Sequence, residues 1–222
     1  IRSVRFDGKR GYIVTFKKTD PLFVFDLADP RAPKTMGELK IPGFSTYIHM
    51  LDDKHLLTIG YDANDHGDFA YFDSVILQIF DVSDPSALAL EHKLSLGTRG
   101  SSSEALSNHL AFNFFQGKLA LPMSICEGGG DGRYGTDLTF SGLIVYSVSA
   151  ADGFSELGRV KANTPDPSNA RSLCSNWWEN AKSEVKRSIF MDDYVYSIAP
   201  NIMRVQRLSA MGNDVSSVPL TP

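Results

Sequence analysis

The sequence predicts an all-β protein made of one small antiparallel sheet repeated four times, and three observations carry that reading. The turn "FDLADPR" at residues 25–31 recurs as "FDVSDPS" at 80–86. Eighteen glycines, eleven prolines and fourteen phenylalanines, with no long run of Ala, Leu, Glu and Lys, favour many short strands over helices. With the recurring turn as an anchor the whole chain falls into units, Phe25, Phe80, Tyr146 and Gln206 being spaced 55, 66 and 60 residues apart.

Each unit encodes four short strands, A to D, of alternating or continuous apolar character. Unit one reads "RSVRFDGKRGYIVTF", "PLFVFDLADP" and "KTMGELKIPG", and unit two "STYIHMLDDKHLLTIG", "SVILQIFDVSDP" and "ALEHKLSLG". Unit three reads "HLAFNFFQGKLALPM", "GLIVYSVSAADG" and "SELGRVKAN", and unit four "KRSIFMDDYVYSIAP", "IMRVQRLSAMG" and "NDVSSVPL". Between A and B stand "DGKRG", "DDKH", "FQGK" and "MDD", residue types that accept hairpin geometry. Between C and D, Asp followed by Pro fixes a bend, so Asp26, Asp29, Asp81 and Asp84 read as corner residues.

A four-stranded meander repeated in this way is the signature of β-propeller blades, whose sheets bury both faces against their neighbours. The 222 residues, long enough to bury roughly 70% of the unfolded surface, are expected to form a single β-propeller domain over 1–222. Blades are expected at 1–43, 44–97, 98–163 and 185–220, with an insertion at 164–184. They form either a closed four-bladed ring or part of a larger propeller, completed by further sequence or by a homo-oligomer, because a lone arc exposes apolar blade faces.

The formal charge of −4 and pI near 5.7, with scattered Lys and Arg, give no footprint for nucleic acid. No apolar run reaches the length of a membrane span, and no signal peptide is recognisable. The chain opens at Ile1 inside a strand-like segment without an initiator Met, which is compatible with a removed or omitted export signal.

Length variation points to one end of the blades. The B to C connection is short in units one and four but long in unit two ("YDANDHGDFAYFD") and unit three ("SICEGGGDGRYGTDLTFS"). The D to A connection before unit four is long as well, "TPDPSNARSLCSNWWENAKSEV". In an up-and-down meander these connections emerge on the same end, and loops raised on a rigid scaffold are where binding lives; a face free of neighbours also tolerates drift. Cys126 and Cys174 both fall on these insertions. A bridge between them would close a loop of about 48 residues, two buried free thiols being the alternative.

Residues 62–73, "DANDHGDFAYFD", lie near the register of a twelve-residue calcium loop, with Asp62 at position one, Asn64 at three, His66 at five, Gly67 at six and Asp73 at twelve. His66 offers nitrogen where calcium prefers oxygen, and Asp73 is shorter than the usual Glu, so a solvated acidic loop is the competing reading. The stretch "CEGGGDGRYGTD" carries Glu127, Asp131 and Asp137 among glycines, a ligand cradle or merely a flexible loop. Trp177 and Trp178 read as stacking surfaces for a sugar or protein, or as a lid.

Catalysis finds little support. There is no GxSxG elbow, Walker A loop or GxGxxG, and His49, His55, His92 and His109 fall on expected strands or their ends, where histidine is more often structural. Arg99, Glu104 and His109, near the start of unit three, are where convergence of polar groups would first be sought.

The stretches "RSVRFDGKRGYIVTFKKTDPLFVFDLADPRAPKTMGELKIPGFSTY", "HLLTIG", "FDVSDPS" and "RGSSSEAL" resemble secreted prokaryotic proteins described as carrying a C-terminal β-propeller domain distantly related to WD repeats. The likeness is close over residues 1 to about 123 and looser beyond. It implies a propeller fold and a secreted, periplasmic or cell-surface location, which favours the Cys126–Cys174 bridge; it brings no catalytic or ligand residues. The function expected is a non-enzymatic, extracytoplasmic binding scaffold that engages a protein or glycan through its loop-rich face. The alternatives are a hydrolase or lyase with a central-channel site, with or without bound calcium, and a structural module of a larger secreted protein.

Overall fold

The computed structural model describes residues 1–15, 19–65, 70–162, 173–175 and 183–220. The chain gathers into two compact units, Ile1–Leu96 and Gly97–Pro222, each holding two sheets. In the first unit, β1 (Ser3–Asp7), β2 (Arg10–Val14), β3 (Thr19–Asp26) and β4 (Lys34–Pro42) form sheet 1. Sheet 2 is made of β5 (Phe44–Met50), β6 (His55–Asp65), β7 (Ala70–Asp81) and β8 (Ala89–Leu96). In the second unit, β9 (Ser102–Ser103), β10 (Asn113–Phe115), β11 (Lys118–Glu127), β12 (Asp137–Ser149) and β13 (Gly153–Lys161) form sheet 3. Sheet 4 follows with β14 (Arg187–Met191), β15 (Tyr194–Ile198), β16 (Ile202–Arg207) and β17 (Asp214–Pro219). Neighbouring strands are antiparallel throughout, as four up-and-down blades require.

The repeat reaches down to single bonds. A register shift lies immediately before each of the four aligned residues, between Val24 and Phe25, Ile79 and Phe80, Val145 and Tyr146, and Val205 and Gln206. The extra residue lies on the fourth strand each time, Met36, Glu91, Leu157 and Val215, and such a bulge bends that strand and sharpens the local twist. Two residues past each aligned position, the backbone N–H of Leu27, Val82, Val148 and Leu208 donates to the carbonyl of Lys9, Lys54, Gly117 and Asp193, at 2.7, 2.8, 2.8 and 2.8 Å. The corner aspartates hold the turns by accepting from backbone N–H groups two residues on: Asp26 from Ala28, Asp29 from Arg31, Asp81 from Ser83 and Asp84 from Ser86. This is the Asx-turn chemistry that makes Asp worth writing twice per corner.

Within each unit the sheets stack by one rule. Because side chains alternate across a strand, sheet 1 presents Tyr12, Val14, Leu22 and Val24, all nearly fully buried, on the face toward sheet 2. On that same face Ser3 Oγ donates to the Ser45 carbonyl at 2.8 Å, and Arg10 Nη1 donates to the Val82 carbonyl at 3.0 Å. Gly37, opposite Val24, lies so close to the corner of sheet 2 that an added Cβ would strike the Pro85 carbonyl. In the second unit Gly158 stands opposite Val145 in the same way, and its Cβ would strike the Met211 side chain. There Ala120, Leu143, Val145 and Val160 of sheet 3 pack with Val185 and Val195, and Phe190 of sheet 4 packs against them. Each fully buried Val, Leu or Ile contributes about 1.5–3 kcal/mol.

The structure also departs from the sequence reading. Strand A of the third repeat does not begin at His109: His109–Ala111 is a 3-10 turn and β10 starts only at Asn113, with a first 3-10 turn, Glu104–Leu106, separating it from the short β9. Ser103 Oγ accepts from Ala105 N and Asn108 Oδ1 accepts from Leu110 N, so two caps start two turns where apolar alternation alone suggested a strand. The acidic stretch after Tyr61 is likewise not a free loop, since β6 and β7 stay paired out to Asp65 and Ala70.

The close approach at Gly37 predicts that Gly37→Ala costs about 1–3 kcal/mol, as overpacking does, measured by urea unfolding. A change below about 0.5 kcal/mol, the range of unconstrained surface substitutions, would show that the corner does not sit on the preceding sheet.

Candidate functional site

The most elaborated end of sheet 3 is built around Cys126, the penultimate residue of β11. Cys126 and Cys174 form a disulfide, Cα–Cα 5.8 Å, and both are fully buried. Closing a 48-residue separation contributes about 4 kcal/mol by restricting the unfolded chain. The Cys126 carbonyl accepts from Thr98 N at 2.7 Å, Thr98 Oγ1 at 2.9 Å and Ser101 Oγ at 3.2 Å, while Cys126 N donates to Ser101 Oγ at 2.9 Å. Gly100, at φ +103°, lies against the Cys174 carbonyl with no room for a side chain. The segment 97–101 is therefore held against both half-cystines.

Residues 128–136 are folded onto this base. Gly130 and Arg133 exchange backbone hydrogen bonds at 3.1 and 2.9 Å, and Thr136 N donates to the Glu127 carbonyl at 2.9 Å. Gly135 N donates to the Arg99 carbonyl at 2.8 Å, and Gly129 N to Thr98 Oγ1 at 3.1 Å. The Arg99 guanidinium stacks over the Tyr134 ring, 4.5 Å from its centroid, a cation–π contact between two half-buried side chains worth about 0.5–2 kcal/mol. Asp131 at the tip has φ +50° and, with Glu127, Arg133, Thr136 and Asp137, is exposed. The result is a braced loop offering both signs of charge beside an anchored aromatic ring.

The residues singled out in sequence fall in several places. Arg99 belongs to the braced loop. Glu104 lies in the first 3-10 turn and is ion-paired with Lys186, Oε2 to Nζ 2.8 Å. His109 is exposed at the start of the second turn. Asp62, on β6, pairs with Lys93 at 2.7 Å, and Asp73 is half-buried on β7. Asn64 stands opposite Tyr71 in the ladder, its side chain lying outside what the structure describes. His66, Gly67, Trp177 and Trp178 lie outside the described residues. At the base of the β6–β7 hairpin the Phe44 and Phe72 rings meet edge to face at 5.0 Å.

One constellation escaped the sequence. His55 faces Asp81 across the β6–β7 ladder, and its Nδ1 lies 2.8 and 2.9 Å from the two Asp52 oxygens while Nε2 lies 3.4 Å from Glu91 Oε2. Single donor atoms of His55, Asp81 and Glu91 lie within 4.8 Å of one another, a set that could ligate a metal. Burial opposes ionisation of Asp52, but hydrogen bonds from Lys54 N and the His55 ring outweigh it and hold the carboxyl below its ordinary value. Hydrogen bonds from the Ser83 side chain and backbone lower Asp81 similarly, and those from Ser86 lower Asp84. Only register brings the "DDKH" turn and the "FDVSDPS" corner together, which is why neither stretch signals it alone.

A carboxyl whose folded value is depressed contributes stability that is present above its unfolded value of 3.8 and is lost as pH falls through the folded one. The thermal midpoint is therefore expected to fall as the pH drops below about 4, and Asp81→Asn to flatten that dependence. Identical pH profiles for the two proteins would remove the corner carboxyl from the account.

Residues 1–211 match the family described as "Beta propeller domain". An uncharacterized protein of Archaeoglobus fulgidus is 34% identical over 205 residues, 92% of this chain and 25% of its own length. An uncharacterized protein of Methanocaldococcus jannaschii is 46% identical over 84 residues, 38% of this chain and 12% of its own. The chain thus spans about a quarter or less of the relatives it matches. Among solved structures, cobalt-substituted Synechocystis ACO aligns at 14% identity and TM-score 0.43, covering 96% of this chain and 46% of that one, a likeness too distant to bear on function. With its four bladelike sheets and this match over nearly its whole length, the chain belongs to the β-propeller domain family.

Proposed function

We propose that this protein is an extracytoplasmic binding module that engages a protein or glycan through the loop-bearing end of its blades. The observation that carries this reading is the braced 126–137 loop of sheet 3, where a disulfide, the Thr98 and Ser101 hydroxyls and the Arg99–Tyr134 stack fix exposed polar residues in place. A loop ordered before binding avoids the entropy of being ordered by its ligand, the cost that most erodes affinity. Tyr134 supplies a flat aromatic surface, and Asp131 and Arg133 supply hydrogen-bonding groups at the rim. The buried disulfide supports an oxidising compartment, where such bonds persist.

Screening the chain against an array of immobilised bacterial and plant polysaccharides and a displayed peptide library tests this. Specific capture is expected, weakened at least tenfold, about 1.4 kcal/mol, by Tyr134→Ala and by Arg133→Ala with the fold intact by circular dichroism. Capture equal in wild type and both variants would place binding elsewhere.

A further inference from the structure

The four sheets are not equally covered. In sheets 2 and 3 consecutive residues of the central strands are buried, Val75–Phe80 and Leu119–Cys126, so both faces are shielded. Sheets 1 and 4 alternate instead. In sheet 1 Leu22 and Val24 are buried whereas Phe23 and Phe25 are half-exposed, and in sheet 4 Val195 and Ser197 are buried whereas Tyr194, Tyr196 and Ile198 are half-exposed.

The stacking rule identifies the two bare faces. A forward face is the one on which sheet 1 meets sheet 2 and sheet 3 meets sheet 4; the opposite, rear face receives it. The bare face of sheet 1 is its rear face, with Val4 42% and Phe6 67% exposed beside Ile13, Phe23 and Phe25. The bare face of sheet 4 is its forward face: Tyr196, Ile198 and Met203 stand where sheet 1 carries Tyr12, Val14 and Leu22. Beside them Ile189 is 46%, Met191 56% and Val218 42% exposed. Both faces are apolar and aromatic, of the kind that marks an interaction surface on a soluble protein.

We propose that these two faces pair head to tail between copies of this chain, the rear face of sheet 1 in one copy seated on the forward face of sheet 4 in a second. The pairing continues the forward-to-rear joint that each unit already contains. One chain carries both halves of the joint, so copies associate without any third component. Such a heterologous contact closes into a ring if the rotation permits and otherwise extends.

Sedimentation velocity of the purified chain over about 5–100 µM, bracketing the micromolar range of modest protein association, tests the pairing. Assemblies larger than the 24.4 kDa monomer are expected. Phe6→Lys and Met191→Lys should each weaken association at least tenfold, with the β-sheet circular dichroism of each variant unchanged because both side chains are exposed. An equimolar mixture of the two variants retains one intact rear face and one intact forward face and should recover a dimer. A wild-type monomer at all concentrations would overturn the proposal, leaving the faces to further sheets of a longer polypeptide or to closure within one chain. Loss of association in one variant only, or a mixture that stays monomeric, would overturn it as well.

Discussion

A four-stranded sheet whose middle strands are apolar on both faces cannot stand alone in water, and this constraint organises the molecule. Tyr12, Val14, Leu22 and Val24 leave solvent only because a second sheet lies against them. The contact is closer than side chains alone would allow. Strand β4 carries glycine opposite Val24, and strand β13 carries glycine opposite Val145, so the corner of the next sheet rests on bare backbone. The corner must then be rigid, which the bulge before residue 25, 80, 146 or 206 and the N–H to carbonyl bond just beyond it provide. Sequence repeat, bulge and corner recur four times, and the stacking they permit is seen once within each unit.

The proposed binding role rests on residues that the device leaves free. The corner end is committed to packing, with its aspartates turned inward on their own backbones. The B to C end has no such duty and carries the elaboration. In the second unit that elaboration is made stiff by Cys126 and Cys174, whose bond fastens the connection between sheets 3 and 4 to the edge of the braced loop. Stiffness combined with exposure at Asp131 and Arg133, beside the half-buried Tyr134 ring held by Arg99, is what the proposed recognition role rests on.

The architecture was legible in the chain because a repeat makes four weak signals agree. The unit whose anchor is Gln206 keeps neither the aspartate nor the proline of the first corner, yet its register shift falls just before the anchor that the spacing marks, as in the other three. The cysteines were legible to the level of a shared end of adjacent blades. What stayed hidden depends on register or on local caps. His55 meets Asp81 and Glu91 only through the β6–β7–β8 ladder. Tyr134 reaches Arg99 only because its glycine-rich loop folds back. Around His109 the apolar alternation was real, but Ser103 and Asn108 offered side-chain acceptors that turned the backbone. The acidic composition of residues 62–73 masked a hairpin because cross-strand pairing and the Phe44–Phe72 contact act against the polar side chains' preference for loop.

The stacking of corners on glycines is the point on which the remainder turns, and nuclear Overhauser spectroscopy reads it directly. Cross-peaks are expected from the Gly37 α-protons to the Leu88 δ-methyls, and from the Gly158 α-protons to the Met211 side chain. If both are missing while cross-strand peaks such as those between β2 and β3 are present, the sheets form but do not stack as described, and the account fails.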